Sequence, residues 1–264
     1  MPPTQDQKGA DFRALHEGDP FVIPNPWDAG SAKVLESLGF KALATTSSGF
    51  AFTMGRADGK AALEDVVRHV EAVAAATGVP LAVDLENGHG PTPANAAEAI
   101  ALAGTAGAVG GSIEDYDPDE DRVYDLDHAV ERIAAAAKMA AALPFDFTLT
   151  ARAEQLLHGS DDLDATIARL QAFAEAGADV LFAPGLRSLD QVRAVCSSVS
   201  KPVNVLGHRG FASVGELFEA GAQRVSVGGA LTWVAVAALT QAAEALRDGD
   251  LSVLAASAPK ELLG

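Results

Sequence analysis

The chain has 264 residues, 48% of them hydrophobic and 21% charged, and a formal net charge of −17. That length supports one large core, no apolar run is long enough to cross a bilayer, and the surplus negative charge would repel a phosphate backbone. Membrane insertion and nucleic-acid binding are therefore not expected, and an anionic substrate must be met by local positive charge or by a cation.

The single cysteine, Cys196, cannot form an internal disulfide or contribute to a Cys-rich metal site. The first residues, "MPPTQDQKGADF", lack a basic start followed by an apolar core, so the cytoplasm is the expected location. Residues 1–10 read as a polar, flexible tail, and no linker or composition break divides the remainder, so 1–264 is expected as a single domain.

In chain order, short runs rich in Val, Ile, Leu and Phe alternate with longer Ala-rich runs of helical period. The strand candidates are "FVIP" (21–24), "ALAT" (42–45), "LAVDLE" (81–86), "AVGGSIE" (108–114), "FTLTAR" (147–152), "DVLFA" (179–183), "PVNVL" (202–206) and "RVSVG" (224–228). Eight strands, nearly every one followed by a helix, predict an α/β fold, a single (β/α)₈ barrel. Thr92 with Pro93 predicts a capped helix start, and "SVGE" (213–216) fits a capping box. Gly39, Gly177 and Gly221 stand where helices should end. The apolar stretch after Asp248 predicts an additional C-terminal helix over 249–264 that docks on the barrel or on a neighbouring subunit.

Active sites of such barrels lie at the C-terminal ends of the strands. There the third strand ends in Asp84 and Glu86, two residues apart and so facing one way, the fourth in Glu114 and Asp115, and the fifth in Arg152. Carboxylates so placed need a partner or a metal. Asp84, Glu86 and Glu114 suit a hard divalent ion, and the alternative is a carboxylate network around Arg152, which can pair with Glu154 or Glu114. The loop Ser47, Ser48 and Gly49 can offer backbone N–H groups to an anion, and Arg152 can hold a carboxylate or phosphate with two parallel hydrogen bonds.

With "PNPWDAGSAKVLESLGFKALATTSSGFAFTMGRAD" (24–58), "VDLENGHG" (83–90), "GGSIED" (110–115), "TARAEQLL" (150–157) and "GADVLFAPG" (177–185), the chain resembles the isocitrate lyase/phosphoenolpyruvate mutase superfamily. The resemblance implies Mg²⁺, with Mn²⁺ as a substitute, contacted by Asp84 and held largely through waters by Glu86 and Glu114. It implies that Ser48 and Gly49 take the 2-oxo-carboxylate end of the substrate, and it matches Asp58 and Arg152 to residues of the site. The implied chemistry is an enolate formed as a C–C or P–C bond to the neighbouring carbon breaks or forms. Final helices packed on a neighbouring subunit imply a homo-dimer or homo-tetramer.

The chain departs from the family pattern in three places. The stretch "EDYDPDEDRVYDLDHAVERI" (114–133) lacks the K-[KR]-C-G-H lid and passes straight to a helix; Ala183 and Pro184 replace an acid or histidine; Asn87 and His89 replace a threonine and an aromatic residue. His89 is a candidate acid, base or ligand for a second carboxylate, or else a loop histidine bonded to backbone. Asn204 and Arg209 are candidates for binding the distal carboxylate of a dicarboxylic substrate, with His208 beside them. Cys196 is expected to pack. These readings predict an enzyme acting on a small 2-oxo acid or 2-hydroxy dicarboxylate as a C–C lyase, decarboxylase or hydrolase. A P–C bond enzyme and an inactive 2-oxo-dicarboxylate-binding barrel are the alternatives.

Overall fold

A computed structural model describes residues 2–255. The polar start is not a tail: Thr4 caps a helix, α1 (Gln5–Glu17), through a capping box with Gln7. What orders it is Phe12, fully buried against Phe21, Ile23, Ala42, Ala82 and Val109. Burial of one such ring contributes roughly 1.5–3 kcal/mol.

After α1 come β1 (Phe21–Val22), α2 (Ala29–Ser37), β2 (Leu43–Ala44), α3 (Ser47–Thr53), α4 (Leu63–Ala76), β3 (Leu81–Asp84), α5 (Pro93–Thr105) and β4 (Gly110–Glu114). A short antiparallel hairpin, β5 (Tyr116–Asp117) and β6 (Arg122–Val123), precedes α6 (Leu126–Ala140). The stretch expected to run straight into a helix therefore first turns back on itself, with Asp117 accepting the N–H groups of Asp119 and Glu120 in the turn. Then follow β7 (Thr148–Arg152), α7 (Leu163–Glu175), β8 (Val180–Phe182), α8 (Leu189–Ser198), β9 (Val203–Leu206), α9 (Val214–Glu219), β10 (Arg224–Ser226) and α10 (Ala230–Arg247). Of the stretch expected as a helix over 249–264, Ser252–Ala255 form a 3₁₀ turn, and residues 256–264 lie outside the described residues.

Eight strands form one parallel sheet in the order β1-β10-β9-β8-β7-β4-β3-β2, surrounded by helices and consistent with a (β/α)₈ barrel. Across the two outermost strands, Ala44 N–H donates to Pro24 O at 3.1 Å. Asn25 extends this bridge by donating to the Ala44 and Thr45 carbonyls and accepting from Val227 N–H.

Thr92 and Ser213 cap α5 and α9 as expected, with the reciprocal bond of a capping box present at Thr92. Gly39, Gly177 and Gly221 follow α2, α7 and α9 with φ of +87°, +105° and +107°, a region open to glycine without steric cost.

Strand alternation divides the interior. Leu149, Ala151, Leu181, Val203, Val205 and Val225 face out into the main core, against Ile133, Leu170, Phe173 and Val195 of the helices. The intervening residues Ser112, Thr150, Arg152, Asn204 and Ser226 are a polar part of the lining of a cavity inside the sheet.

Candidate active site

The cavity, about 170 Å³, opens at the C-terminal ends of the strands and suits a small metabolite. Of the residues singled out in the sequence, Ser47, Ser48, Asp58, Asp84, Arg152 and Asn204 line it. Gly49, Glu86, His89, Glu114 and Arg209 are not among its lining residues.

Arg152 organises the acids. It donates to Asp84 at 3.0 Å, pairs with Glu114 at 3.1 Å, donates through Nε to Glu154 at 2.9 Å, and lies over the Phe182 ring at 5.3 Å. Both pairings expected for Arg152 in the absence of a metal thus form, and Asp84 makes a third. Burial opposes the charge on Arg152, but Glu154, Glu114 and Asp84 outweigh it and hold the guanidinium protonated. Asp84 is buried too, yet Arg152 and the Ser47 N–H, 3.2 Å from Oδ2, keep its carboxyl below the usual range.

Glu86 and Glu114 have too little compensation. Burial first, then Asp84 and Asp58, push Glu86 up to about 8. Burial likewise raises Glu114 well above the ordinary value, Arg152 opposing the rise and Glu154, Asp84 and Glu86 adding to it. Three carboxylates, Asp84, Glu114 and Glu154, share the Arg152 guanidinium with Glu86 beside them, an excess of negative charge that fits a divalent cation. No three acidic or imidazole groups among the described residues converge closely enough to hold an ion directly. Asp84, Glu86 and Glu114 are the residues that would hold a divalent ion, and their hard oxygen donors suit Mg²⁺.

Ser47, Ser48 and Gly49 are the first turn of α3 rather than a free loop. Thr46 caps it by accepting from Gly49 N–H, and Trp233 Nε1 donates to Ser48 Oγ at 3.4 Å. A Cβ at Gly49 would lie 2.6 Å from Thr232 Oγ1 and 2.9 Å from Trp27 Cβ, so glycine lets α3 meet α10. Asp58 stands exposed at the mouth.

The "ENGHG" turn is fixed from below by Arg132, which the sequence reading did not single out. Its guanidinium is fully buried, donates to the carbonyls of Asn87, Gly90 and Thr92, and lies over the Tyr124 ring. Glu86 and His89 hold left-handed φ of 50° and 56° in this turn, and such strain needs a clamp. Asn87 donates to Tyr124 OH at 3.1 Å. Among the described residues His89 Nε2 is buried without a hydrogen-bond partner, and burial lowers its pKa, favouring the neutral imidazole.

At the far strand ends, His208 bonds backbone at Leu186 O and Gly210 N, and Arg209 is exposed. Asn204 is buried in the cavity floor, donating to Ser226 Oγ at 3.0 Å and accepting from Arg224 Nε at 2.8 Å. Arg224, absent from the sequence reading, begins its strand, the end of a barrel strand where function is not sought. Cys196 packs against the core, its thiol pushed up to about 11 by burial.

An eight-stranded parallel sheet whose strand ends gather acids around one arginine is the arrangement of an enzyme active site at the C-terminal face of a (β/α)₈-type sheet. The phosphoenolpyruvate phosphomutase family profile matches residues 12–247, and the chain belongs to that family, within the isocitrate lyase/phosphoenolpyruvate mutase superfamily. It is 31% identical over 238 residues to an uncharacterized protein of Mycobacterium tuberculosis (strain ATCC 25618 / H37Rv), covering 89% of this chain and 88% of that one. It is 31% identical over 206 residues to the 2-methylisocitrate lyase of Escherichia coli (strain K12), covering 74% and 68%. A candidate lyase/mutase from Burkholderia cenocepacia J2315 superposes with a TM-score of 0.94 at 49% identity, covering 98% and 95%. Oxaloacetate acetylhydrolase in complex with oxalate superposes with a TM-score of 0.87 at 28% identity, covering 97% and 94%.

Proposed function

We propose that the chain is a Mg²⁺-dependent enzyme, with Mn²⁺ as a substitute, that cleaves the bond beside the carbonyl of a small 2-oxo acid or 2-hydroxy dicarboxylate. The reaction is of the C–C lyase, decarboxylase or hydrolase type and proceeds through an enolate. The observation that carries this reading is the buried Asp84–Arg152 pair at the cavity wall, beside carboxylates that outnumber their positive partners. The fold is read as a closed (β/α)₈ barrel, supported by the Ala44–Pro24 hydrogen bond between the outermost strands.

In this reading the first turn of α3, whose leading N–H groups have no intrahelical acceptor, binds the substrate carboxylate with Ser48 N–H and the hydroxyls of Ser47 and Ser48. Arg152, held in place by Glu114 and Glu154, turns its remaining N–H groups to the same oxygens. When bound, the divalent cation supplies positive charge where negative charge gathers on the carbonyl oxygen. Glu86 holds a proton near neutrality in the cation-free protein, and Asp58 stands at the mouth.

The assay that tests the reading follows oxaloacetate and phosphonopyruvate with Mg²⁺ and with a chelator. Turnover of oxaloacetate that the chelator abolishes is expected, and no turnover of either compound sinks it. The name of the matching family favours a second reading, a P–C bond enzyme, which preferential turnover of phosphonopyruvate would establish. We further propose a cytoplasmic homo-dimer or homo-tetramer. Trp233, Val234 and Leu239 stand exposed on α10, a helix with only Thr232 buried, and sedimentation as a monomer would remove the oligomer.

A further inference from the structure

Two cations line the cavity, Arg152 and Arg224, and they are held in opposite ways. Three carboxylates surround Arg152. Arg224, buried to 6% exposure, has none: among the described residues its partners are Asn204 Oδ1 at 2.8 Å, Thr150 Oγ1 at 3.0 Å and His16 Nε2 at 3.1 Å. His16 brings no compensating charge. Its Nδ1 lies 2.8 Å from Phe12 O, so that nitrogen carries the proton and Nε2 accepts from Arg224. Burial and the neighbouring guanidinium push the imidazole down to about 3, keeping it neutral.

A guanidinium has five N–H donors, and these contacts use three of them. A buried charge with spare donors and no counter-ion, facing a cavity, is an incomplete ion pair. We propose that Arg224, framed by Thr150, Asn204 and Ser226, is a second anion subsite at the cavity floor that takes the far carboxylate of a short 2-oxo dicarboxylate. This rests on the reading above, in which Arg152 and Ser48 take the near carboxylate. Thr150, which accepts from Arg224, precedes Arg152 by two residues on the same face of β7, so Arg224 meets that strand about 6.6 Å nearer the cavity floor than the Arg152 backbone. A short diacid held at its near end by Ser48 and Arg152 therefore extends its far carboxylate towards Arg224. The small residues Ala44, Ala82 and Ser112 on the opposite wall leave room for it.

Calorimetry with Mg²⁺ tests this, using oxalate, which has no distal carboxylate at that reach, and 3,3-difluorooxaloacetate, which has one. Wild type is compared with Arg224→Gln and with Asn204→Asp, a near-isosteric change that sets a carboxylate against Arg224. Circular dichroism and thermal unfolding check folding, and Asn204→Asp carries the test if Arg224→Gln does not fold. Both variants are expected to bind 3,3-difluorooxaloacetate at least tenfold more weakly while oxalate affinity stays within about twofold. Equal loss for both ligands, or no loss for the diacid, overturns the subsite. Diacid binding that depends on Arg224 while oxalate fails to bind wild type leaves the subsite standing and counts against the proposed function. Oxalate binding with no discrimination between ligands does the reverse, and a wild type that binds neither overturns both.

Discussion

Arg152 reaches Asp84 at 3.0 Å across an intervening strand, because β3 and β7 flank β4 and do not pair with each other. Its other contacts, to Glu114 on β4 and Glu154 just past β7, make it the tie between three strand ends.

Removing that tie leaves several buried carboxylates facing one another. Arg152→Gln is expected to lower folding stability by roughly 3–5 kcal/mol, the range found when one partner of a buried pair is deleted. Urea unfolding reads this directly. Loss below about 1 kcal/mol would mean that the acids relax by taking up protons or water.

Asp84→Asn keeps the acceptor for Ser47 N–H but removes the charge. The expected loss is on the order of 10²-fold or more in kcat/KM with oxaloacetate, since Asp84 is the carboxylate that would contact the cation, and positive charge preorganised at the reacting oxygen supplies effects of that size. Stability should change little by comparison. Unchanged kinetics would take Asp84 out of the reaction.

Glu86 gives a pH signature. Its pKa rises from 4.5 unfolded to about 8 folded, so between those values the folded protein binds the extra proton and stability falls as pH rises. Glu86→Gln lacks this slope. In cation-free buffer the variant should gain on wild type by up to about 1.4 kcal/mol per pH unit between about pH 5 and pH 7.5. Adding Mg²⁺ should release protons from wild type, read by calorimetry in buffers of different ionisation enthalpy. A pH-independent difference would mean that Glu86 titrates as an ordinary carboxylate.

Gly49→Ala is a packing test. The new methyl meets Thr232 Oγ1, Thr46 Cγ2 and Trp27 Cβ at 2.6, 2.7 and 2.9 Å, so a loss of about 1–3 kcal/mol is expected. Adding Thr232→Ala should recover part of it in thermal unfolding. No recovery would place the strain on the Trp27 side.

The strands were legible because parallel strands buried on both faces read as short apolar runs, and all eight fall within the predicted stretches. Asp84 and Arg152 were legible because they close two such runs. The β5–β6 hairpin was not, since its residues are acidic and too few to show a period. Ser47–Gly49 reads as a loop from composition, although Thr46 before it is a helix cap that announces α3. Arg224 and Arg132 were hidden for another reason: each answers to groups far along the chain, Thr150 and His16 for one, Asn87 and Gly90 for the other, and no local pattern encodes such partners.

The contacts of β10 also set a clock on biosynthesis. Phe21 N–H donates to Gln223 O and Ile23 N–H to Val225 O, while the Gln223 side chain donates to the Leu15 and Gly18 carbonyls. Helix α1 and strand β1 thus wait for the last strand of the sheet, and closing so long a loop is slow. A nascent chain that stalls before residue 223 carries β1 with one edge unpaired, an aggregation-prone intermediate that a holding chaperone would have to shield.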